Sequence, residues 1–307
     1  MDRRSWIMFL ALAAFWGASY LFIELGLEDL SPAMIVFLRV ALAALVLLPL
    51  AMRRNAFAGM REGLGVLALL ALLQVAGPFM LISFGQEHIA SSLAGILVAS
   101  APIFTALLAV RFDHEERSHG LALAGVLVGM AGVGLLLGVD AGGGAAALAG
   151  GLMVLLASLG YAAGGLLLKR HMAGRQPIGL VTVTMALSAL MTLPAAAATA
   201  PSSLPGAEAI AAVATLGVVG TGVSFVLYFE LIAKIGPGRT SVVAYVAPGF
   251  SVVYGVTLLD ESFTAATAAG IALILTGSWL AAEGRVPGRR RAGHRPLRSP
   301  ARASSAP

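Results

Sequence analysis

The sequence has no cysteine and little charge, and both absences restrict what the protein can be. Without cysteine there are no disulfides, no thiolate metal sites and no thiol redox motifs. Only 11% of the residues are charged, whereas the charged fraction of a soluble domain is usually about 25%. Hydrophobic residues make up 59% of the chain. This composition is typical of an integral membrane protein.

Groups for catalysis and for ATP hydrolysis are also scarce. All five histidines lie in loops, at the ends of apolar runs or near the C-terminus, and no aspartate lies within a run. An intramembrane metalloenzyme or aspartic protease would therefore lack its ligands or bases. No G-x-x-x-x-G-K-[ST] phosphate loop is present either. We predict that the protein is not an enzyme and that it uses no cofactor and no metal.

Apolar runs of about twenty residues dominate what is present, and each can cross the roughly 30 Å hydrocarbon core as a helix. Because backbone groups in lipid must be satisfied within the segment, we predict an all-α integral membrane fold with ten transmembrane helices. For the first run a signal peptide is the alternative, since Arg3 and Arg4 precede it, but its apolar character continues through Phe22. The runs are 6–24, 32–52, 64–85, 90–110, 119–139, 147–168, 177–199, 209–233, 240–258 and 264–282.

The basic residues predict the orientation of the chain, because cytoplasmic loops are enriched in Lys and Arg. If the N-terminus is inside, 19 of the 20 basic residues fall on the cytoplasmic side. The loops of the opposite side hold seven carboxylates and no basic residue. We therefore predict that the N and C termini are both cytoplasmic, and that the positive charge reflects topology and not nucleic-acid binding.

Two stretches of the chain repeat one pattern: APIFTALLAVRFDHEERS at 101–118 and APGFSVVYGVTLLDES at 247–262. Trp16 likewise aligns with Tyr161, 145 residues later. Because five spans make each half, the second copy enters the membrane from the opposite side, as in the inverted-topology repeats of secondary transporters. The predicted units are a first five-helix repeat at 1–139, a linker at 140–146, a second five-helix repeat at 147–283 and a disordered basic cytoplasmic tail at 284–307.

Polar and aromatic side chains within the runs are the candidate solute-binding residues, because such side chains suit a ligand pocket. Helix–helix hydrogen bonding is the alternative role for them. Glu230 is the predicted coupling residue, since a carboxylate near the cytoplasmic end of a span can exchange protons; its alternative role is to pair with Lys234. The predicted substrate-binding residues are Trp16, Tyr20, Arg39, Gln74, Tyr161, Ser224, Tyr228 and Tyr245.

Arg39 is the one basic residue within a run. It lies seven residues after Pro32, a predicted helix start, which places it about 10 Å from the external end of its helix at 1.5 Å per residue. An arginine near the middle of a span costs about 2.5–3.5 kcal/mol, so we expect Arg39 to face the central cavity. Its partner is either a carboxylate or phosphate of the solute or a fixed acceptor, such as helix-end carbonyls or Glu24.

Matching prolines and glutamates recur at the ends of the repeated pattern. Pro102 and Pro248 lie 146 residues apart within two spans, and we predict that they act as gate hinges or set the shape of the helices. Glu116 and Glu261 precede the fifth and tenth runs. They either cap the N-termini of those helices or form a gating salt bridge.

Four stretches resemble the EamA-like domains of the drug/metabolite transporter superfamily. They are FWGASY at 15–20, SPAMIVFLR at 31–39, ASSLAGILVASAPIFTALLA at 90–109 and YFELIAKIGPGRTSVVAYVAPGFSVVYGVTLLDES at 228–262. The resemblance implies a ten-helix secondary carrier of small organic solutes, often an exporter of amino acids or other metabolites. One position departs from the family pattern, because Tyr161 stands where a tryptophan is common.

These observations predict a secondary active transporter, a multi-pass protein of the cell inner membrane that exports amino acids or related small metabolites by alternating access between its two repeats. Its partners are a small organic solute and the lipid bilayer, and the sequence leaves a homodimer open. A non-transporting membrane scaffold and a channel are the alternatives, although an inverted repeat has no evident purpose in a scaffold.

Reporter fusions test the predicted topology. A reporter fused after Asp140 should be active only if it works in the periplasm, and one fused at Ala292 only if it works in the cytoplasm. The reason is that the loop between the repeats has no basic residue whereas the tail has seven. Alkaline phosphatase and a fluorescent protein at each site give the measurement. The same sidedness for both sites would contradict ten spans.

Overall fold

The computed structural model describes residues 1–112, 121–139, 144–172 and 174–283, and its regular elements are all helical. Outside these ranges lie Glu116, the first four residues of the predicted linker and the predicted tail at 284–307. Within the described ranges, ten helices are long and apolar enough to cross a membrane, which confirms the predicted number. Spans 1 to 10 are Arg3–Leu27, Pro32–Arg53, Arg61–Gln86, Ser91–Leu108, Leu121–Gly138, Gly144–His171, Pro177–Ala198, Ala207–Ile235, Pro237–Leu258 and Ala265–Ala282.

The surface of the helical bundle is apolar. Leu45, Leu127 and Leu190 are 64%, 65% and 67% exposed, which suits contact with lipid chains and not with water. We call the end of the bundle that carries the connections at 28–31, 87–90, 199–206 and 259–264 the outer face, and the opposite end the inner face. These names follow the charge-based orientation, which stays a prediction.

Span 2 begins at Pro32, as predicted. The Ser31 hydroxyl accepts a 3.2 Å hydrogen bond from the Met34 N–H and so caps the helix. Pro32 follows at the first helical position, where an N–H would have no acceptor within the helix. This local start sets the depth of every later residue in the span, including Arg39.

The two halves pack as a pair related by an approximate two-fold axis. Span 2 packs on span 7, span 4 on span 9 and span 5 on span 10, so equivalent helices meet in three places. The other contacts are exchanged, because span 1 packs on spans 8 and 9 whereas span 6 packs on spans 3 and 4. With five spans in each half, the second half is inverted relative to the first, as predicted.

Spans 3 and 8 each contain a π-helical segment, Leu72–Ala76 and Val218–Val223. The two segments begin 146 residues apart, which is one of the spacings of the sequence repeat. In a π segment the helix accommodates an extra residue, and such segments are frequent at functional sites. A side chain supports the second one, since Ser224 Oγ donates to the Val219 carbonyl oxygen, five residues back, at 2.8 Å.

The two predicted hinge prolines lie in different backbone settings. Span 4 is interrupted after the helix Ser91–Val98 and resumes as Ala101–Phe112, so Pro102 lies in the first turn of a new helix. Pro248 lies inside the helix Val243–Leu258, which continues past it. Equivalent prolines therefore occupy unlike structures in the two halves, and their role as hinges stays a prediction.

Glycines bring spans 5 and 10 into backbone contact. A Cβ atom added at Gly277 would lie 2.5 Å from Gly129 Cα and 2.6 Å from the Gly125 carbonyl oxygen. Real Cβ atoms do not come this close to a neighbouring backbone, so the approach depends on glycine. The pair of equivalent helices is therefore joined along a seam of small residues.

Substitution in this seam should destabilise the protein. We expect Gly277→Ala to lower the free energy of unfolding by about 1–3 kcal/mol, because the added methyl forces the two helices apart. Gly134→Ala in span 5 is the matched control, since a Cβ there would meet no atom within 4 Å. Thermal unfolding in detergent measures both. Equal midpoints for the two variants would contradict the backbone contact.

Candidate functional site

Arg39 is only 7% exposed although it carries a charge. Its Nε donates a 2.9 Å hydrogen bond to Thr221 Oγ1 in span 8, and its Cζ lies 3.7 Å from the centroid of the Phe79 ring in span 3. Thr221 lies in the second π segment, and its Oγ1 donates in turn to the carbonyl oxygen of Leu216, five residues back, at 3.0 Å. The guanidinium group is therefore held by one contact from each half of the protein.

Two of the predicted tyrosines lie close enough to the guanidinium group to interact with its charge. Tyr20 in span 1 and Tyr161 in span 6 each interact electrostatically with Arg39, and Tyr20 also interacts with Tyr161. We call Tyr20, Arg39, Phe79, Tyr161 and Thr221 the arginine cluster. Its members come from five spans, three of the first half and two of the second, so it lies where the halves meet.

The charge of Arg39 has no carboxylate partner among the described residues. Glu24, which the sequence leaves open as a partner, instead accepts a 3.3 Å hydrogen bond from Gln86 Nε2. A charge-assisted hydrogen bond contributes about 1.5–3 kcal/mol and a cation–π contact about 0.5–2 kcal/mol, whereas burying an ion costs several kcal/mol. The cluster is therefore suited to receive an anionic group, which a planar guanidinium can bind with two hydrogen bonds.

Trp16 and Tyr228 form a second aromatic group. It lies closer to the inner face than the arginine cluster does, because Tyr228 belongs to the helix Ser224–Ile235, which follows the second π segment. Their ring centroids lie 5.4 Å apart at an interplanar angle of 40°, and the Tyr228 and Phe229 centroids are 5.7 Å apart. Phe229 also packs on the apolar residues around Phe79. Aromatic side chains thus continue from Trp16 to the arginine cluster.

Three other predicted substrate-binding residues make their contacts with groups outside the arginine cluster. The Gln74 side chain fills the space above Gly164 in span 6, where a Cβ would collide with it. Ser224 is fully buried and donates within its own helix. The Tyr245 hydroxyl donates to the Ser278 carbonyl oxygen at 3.4 Å, so its ring is directed at span 10. Their role in substrate binding stays a prediction.

Glu230 is half-buried near the inner end of span 8. Its proposed structural partner, Lys234, places its ammonium group 3.9 Å from the Met8 sulfur atom instead. The alternative in which these two residues form an ion pair is therefore wrong in this structure. The coupling role of Glu230 stays a prediction.

An open pocket of about 420 Å³ lies at the outer face, and none of the predicted substrate-binding residues lines it. Four carboxylates give it a negative character. The lining residues are Glu24, Glu28, Gln86, Glu87, His88, Ile89, Ala90, Leu259 and Glu261. The pocket and the arginine cluster are connected through Gln86, whose Nε2 donates to the Tyr20 carbonyl oxygen at 2.9 Å.

Glu261 joins this pocket to the first turn of span 4. One carboxylate oxygen accepts a 2.7 Å hydrogen bond from the Ser91 N–H, and the other a 3.1 Å bond from the Ser92 N–H. The prediction that Glu261 caps the span that follows it is therefore wrong, because it caps a helix of the other half. Asp260, the residue before Glu261, has a left-handed φ of 54° and forms the turn that leads to this contact.

Sequence reasoning does not identify Phe79 or Thr221, and no local signal marks them. Both are ordinary residues of apolar spans, and they become recognisable only once the spans are placed around Arg39. Gln86 and the Ser91–Ser92 pair carry a weak signal, because polar residues on both sides of a short external loop can line an entrance.

The contact made by Glu261 should stabilise the protein. We expect Glu261→Gln to lower the free energy of unfolding by about 1–2 kcal/mol, because a neutral amide accepts from a helix N-terminus less strongly than a carboxylate. Asp260→Asn removes the same charge from the neighbouring exposed residue and serves as the control. Thermal unfolding in detergent measures both. If the two variants lose the same stability, the capping contact is not what Glu261 contributes.

Comparison with known proteins agrees with this architecture. The EamA-like transporter family matches residues 4–138 and 148–282. The chain is 26% identical over 260 residues to an uncharacterized inner membrane transporter, YedA, of Escherichia coli strain K12, covering 83% of this chain and 82% of that protein. It is 24% identical over 290 residues to a probable amino-acid metabolite efflux pump of the same strain, covering 91% and 95%.

A solved structure that is 20% identical superimposes with a TM-score of 0.63 over 92% of this chain and 98% of that one, which shows a shared fold. The two family matches coincide with the two five-span halves, and the relative YedA is named as an inner membrane transporter. This chain is thus a multi-pass protein of the inner membrane that belongs to the EamA-like transporter family.

Proposed function

We propose that the protein is a secondary active transporter that exports amino acids or related small metabolites. The proposed mechanism is alternating access, in which the two inverted repeats expose one central site first to the inner face and then to the outer face. The site is the arginine cluster. Its proposed ligand carries a carboxylate, which Arg39 binds.

The observation that carries this proposal is the buried charge of Arg39 at the boundary between the halves. Its contacts with Thr221 and Phe79 offset only part of the desolvation cost, and they occupy one face and one nitrogen of the guanidinium group. The terminal nitrogens remain the groups with which arginine binds a carboxylate in two parallel hydrogen bonds. A solute carboxylate would complete the site.

The relatives support the direction and the class of solute. The Escherichia coli protein that is 24% identical to this chain is named as a probable amino-acid metabolite efflux pump. A Salmonella typhimurium protein that is 23% identical has the same name. Their names concern those proteins, and they make amino acids the first solutes to test here.

Countertransport in proteoliposomes tests the proposed mechanism. Liposomes preloaded with an unlabelled amino acid should take up the labelled one faster than empty liposomes, because an alternating-access carrier returns more quickly when it is loaded. A channel would give flux without this stimulation. A scaffold would give no flux above that of protein-free liposomes.

Two substitutions of Arg39 test the binding site. Arg39→Lys should weaken the apparent affinity about tenfold, because an ammonium group cannot make the paired hydrogen bonds. Arg39→Gln should abolish most transport, since loss of a charge-assisted contact worth about 1.5–3 kcal/mol lowers binding about 10- to 100-fold. Radiolabelled exchange measures both, with the amount of folded protein in the membrane determined in parallel.

Arg53→Gln is the matched control, because Arg53 is an exposed arginine at the inner end of the same helix. It should transport normally. If both Arg39 variants fail to accumulate as folded protein, Arg39 is a structural residue. If Arg39→Gln transports normally, the proposed carboxylate site is wrong.

A further inference from the structure

Three buried oxygen atoms without a hydrogen-bond partner lie in one small part of the protein. Within the described ranges, the buried side-chain polar atoms that lack a partner are Ser83 Oγ, Gln86 Oε1 and Ser91 Oγ. They belong to a stretch of nine residues that ends span 3 and begins span 4. Buried hydroxyls elsewhere find acceptors, as Ser188 does by donating to the Ala71 carbonyl oxygen.

An unpaired buried polar atom costs about 1–3 kcal/mol, so native proteins keep few of them. Three such atoms in one place therefore lower the stability of this part of the protein more than that of the rest. In a protein whose function requires more than one conformation, such atoms can be paired in a conformation other than this one. A ligand that reaches them there would remove the cost.

Two of these residues, Ser83 and Gln86, lie on a helix face that runs from the arginine cluster to the outer pocket. Phe79, Ser83 and Gln86 are spaced four and three residues apart in the helix Gly77–Gln86, which places them on one helix face. Phe79 contacts Arg39 at the deep end of this face, and Gln86 lines the pocket at the other end. Ser83 lies between them and is 1% exposed.

All three free atoms can accept a hydrogen bond from a ligand, and the two serine hydroxyls can also donate one. The amide nitrogen of Gln86 is already occupied, because it donates to the Tyr20 carbonyl oxygen at 2.9 Å and to Glu24 Oε2 at 3.3 Å. What remains is its carbonyl oxygen, an acceptor. Glu24 adds a negative charge beside it, and Glu28, Glu87 and Glu261 add more around the pocket.

We propose that Ser83, Gln86 and Ser91, together with the Glu24 carboxylate, form a second solute site that binds an ammonium group. This inference rests on the proposed transport function and extends it. A solute that carries both charges would bind by its ammonium group near the outer face and by its carboxylate at Arg39. The two sites would then be occupied in succession along one path.

The absence of cysteine makes a direct test feasible, since an introduced cysteine is the only thiol in the chain. Ser83→Cys preserves the size of the side chain and reports access to the site. The full-length protein in detergent is treated with 2-aminoethyl methanethiosulfonate, which is cationic, and with 2-sulfonatoethyl methanethiosulfonate, which is anionic. The rates are normalised to those of a free thiol.

We expect the cationic reagent to modify the cysteine at position 83 about tenfold faster, the lower end of the effect of a cleft lined by one sign of charge. Addition of Glu24→Gln should lower the ratio, because it removes the carboxylate beside Gln86 and leaves the other three around the pocket. Asp260→Asn should leave it unchanged, because that exposed carboxylate does not line the pocket. Butylammonium should protect the thiol, whereas butanol, which has a similar shape and no charge, should not.

Ser188→Cys is the control for burial, because the Ser188 hydroxyl has a partner and lies between spans 3 and 7; it should react with neither reagent. Ser91→Cys is a second reporter with the same expected charge preference. Equal rates for the two reagents, a ratio unaffected by Glu24→Gln, or no reaction at position 83 would each overturn the second site. Because labelling requires no transport, it can support the site even if countertransport fails, and the reverse also holds.

Discussion

The rest of the structure depends on keeping one arginine charge inside a bundle that is surrounded by lipid. Arg39 has a hydroxyl from one half of the protein and an aromatic ring from the other, and no carboxylate among the described residues. In a medium of low dielectric constant these contacts offset only part of the desolvation cost. The charge thus lies where the halves meet, and an anionic ligand would offset more of its desolvation cost there.

Irregular backbone is concentrated near the same depth. The π segments Leu72–Ala76 and Val218–Val223 and the break in span 4 after Val98 all interrupt regular α-helix inside the bundle. Such irregularities are tolerated at membrane depth only where protein groups replace the lost hydrogen bonds. Thr221 and Ser224 do this in span 8, since each donates to a carbonyl five residues back. Thr221 thus supports the helix and Arg39 with one hydroxyl group.

The number of spans, their limits and the inverted repeat could be predicted from the sequence, because lipid imposes a local rule on every residue that crosses it. The partners of individual side chains could not. They depend on how each helix is rotated, and a π segment changes that rotation within a span, as it does just before Ser224. The partner of Glu261 was unpredictable for another reason, since it lies 170 residues away along the chain.

Equivalence in sequence does not make the two ends of the protein equally stable. At the outer face, a carboxylate accepts from two backbone N–H groups, those of Ser91 and Ser92. At either spacing of the repeat, 145 or 146 residues, Pro237 replaces one of these serines in the second half. Proline has no N–H, so the start of span 9 cannot offer a carboxylate the same pair of donors. An inverted repeat therefore provides two related ends, whereas single residues decide how firmly each end is held.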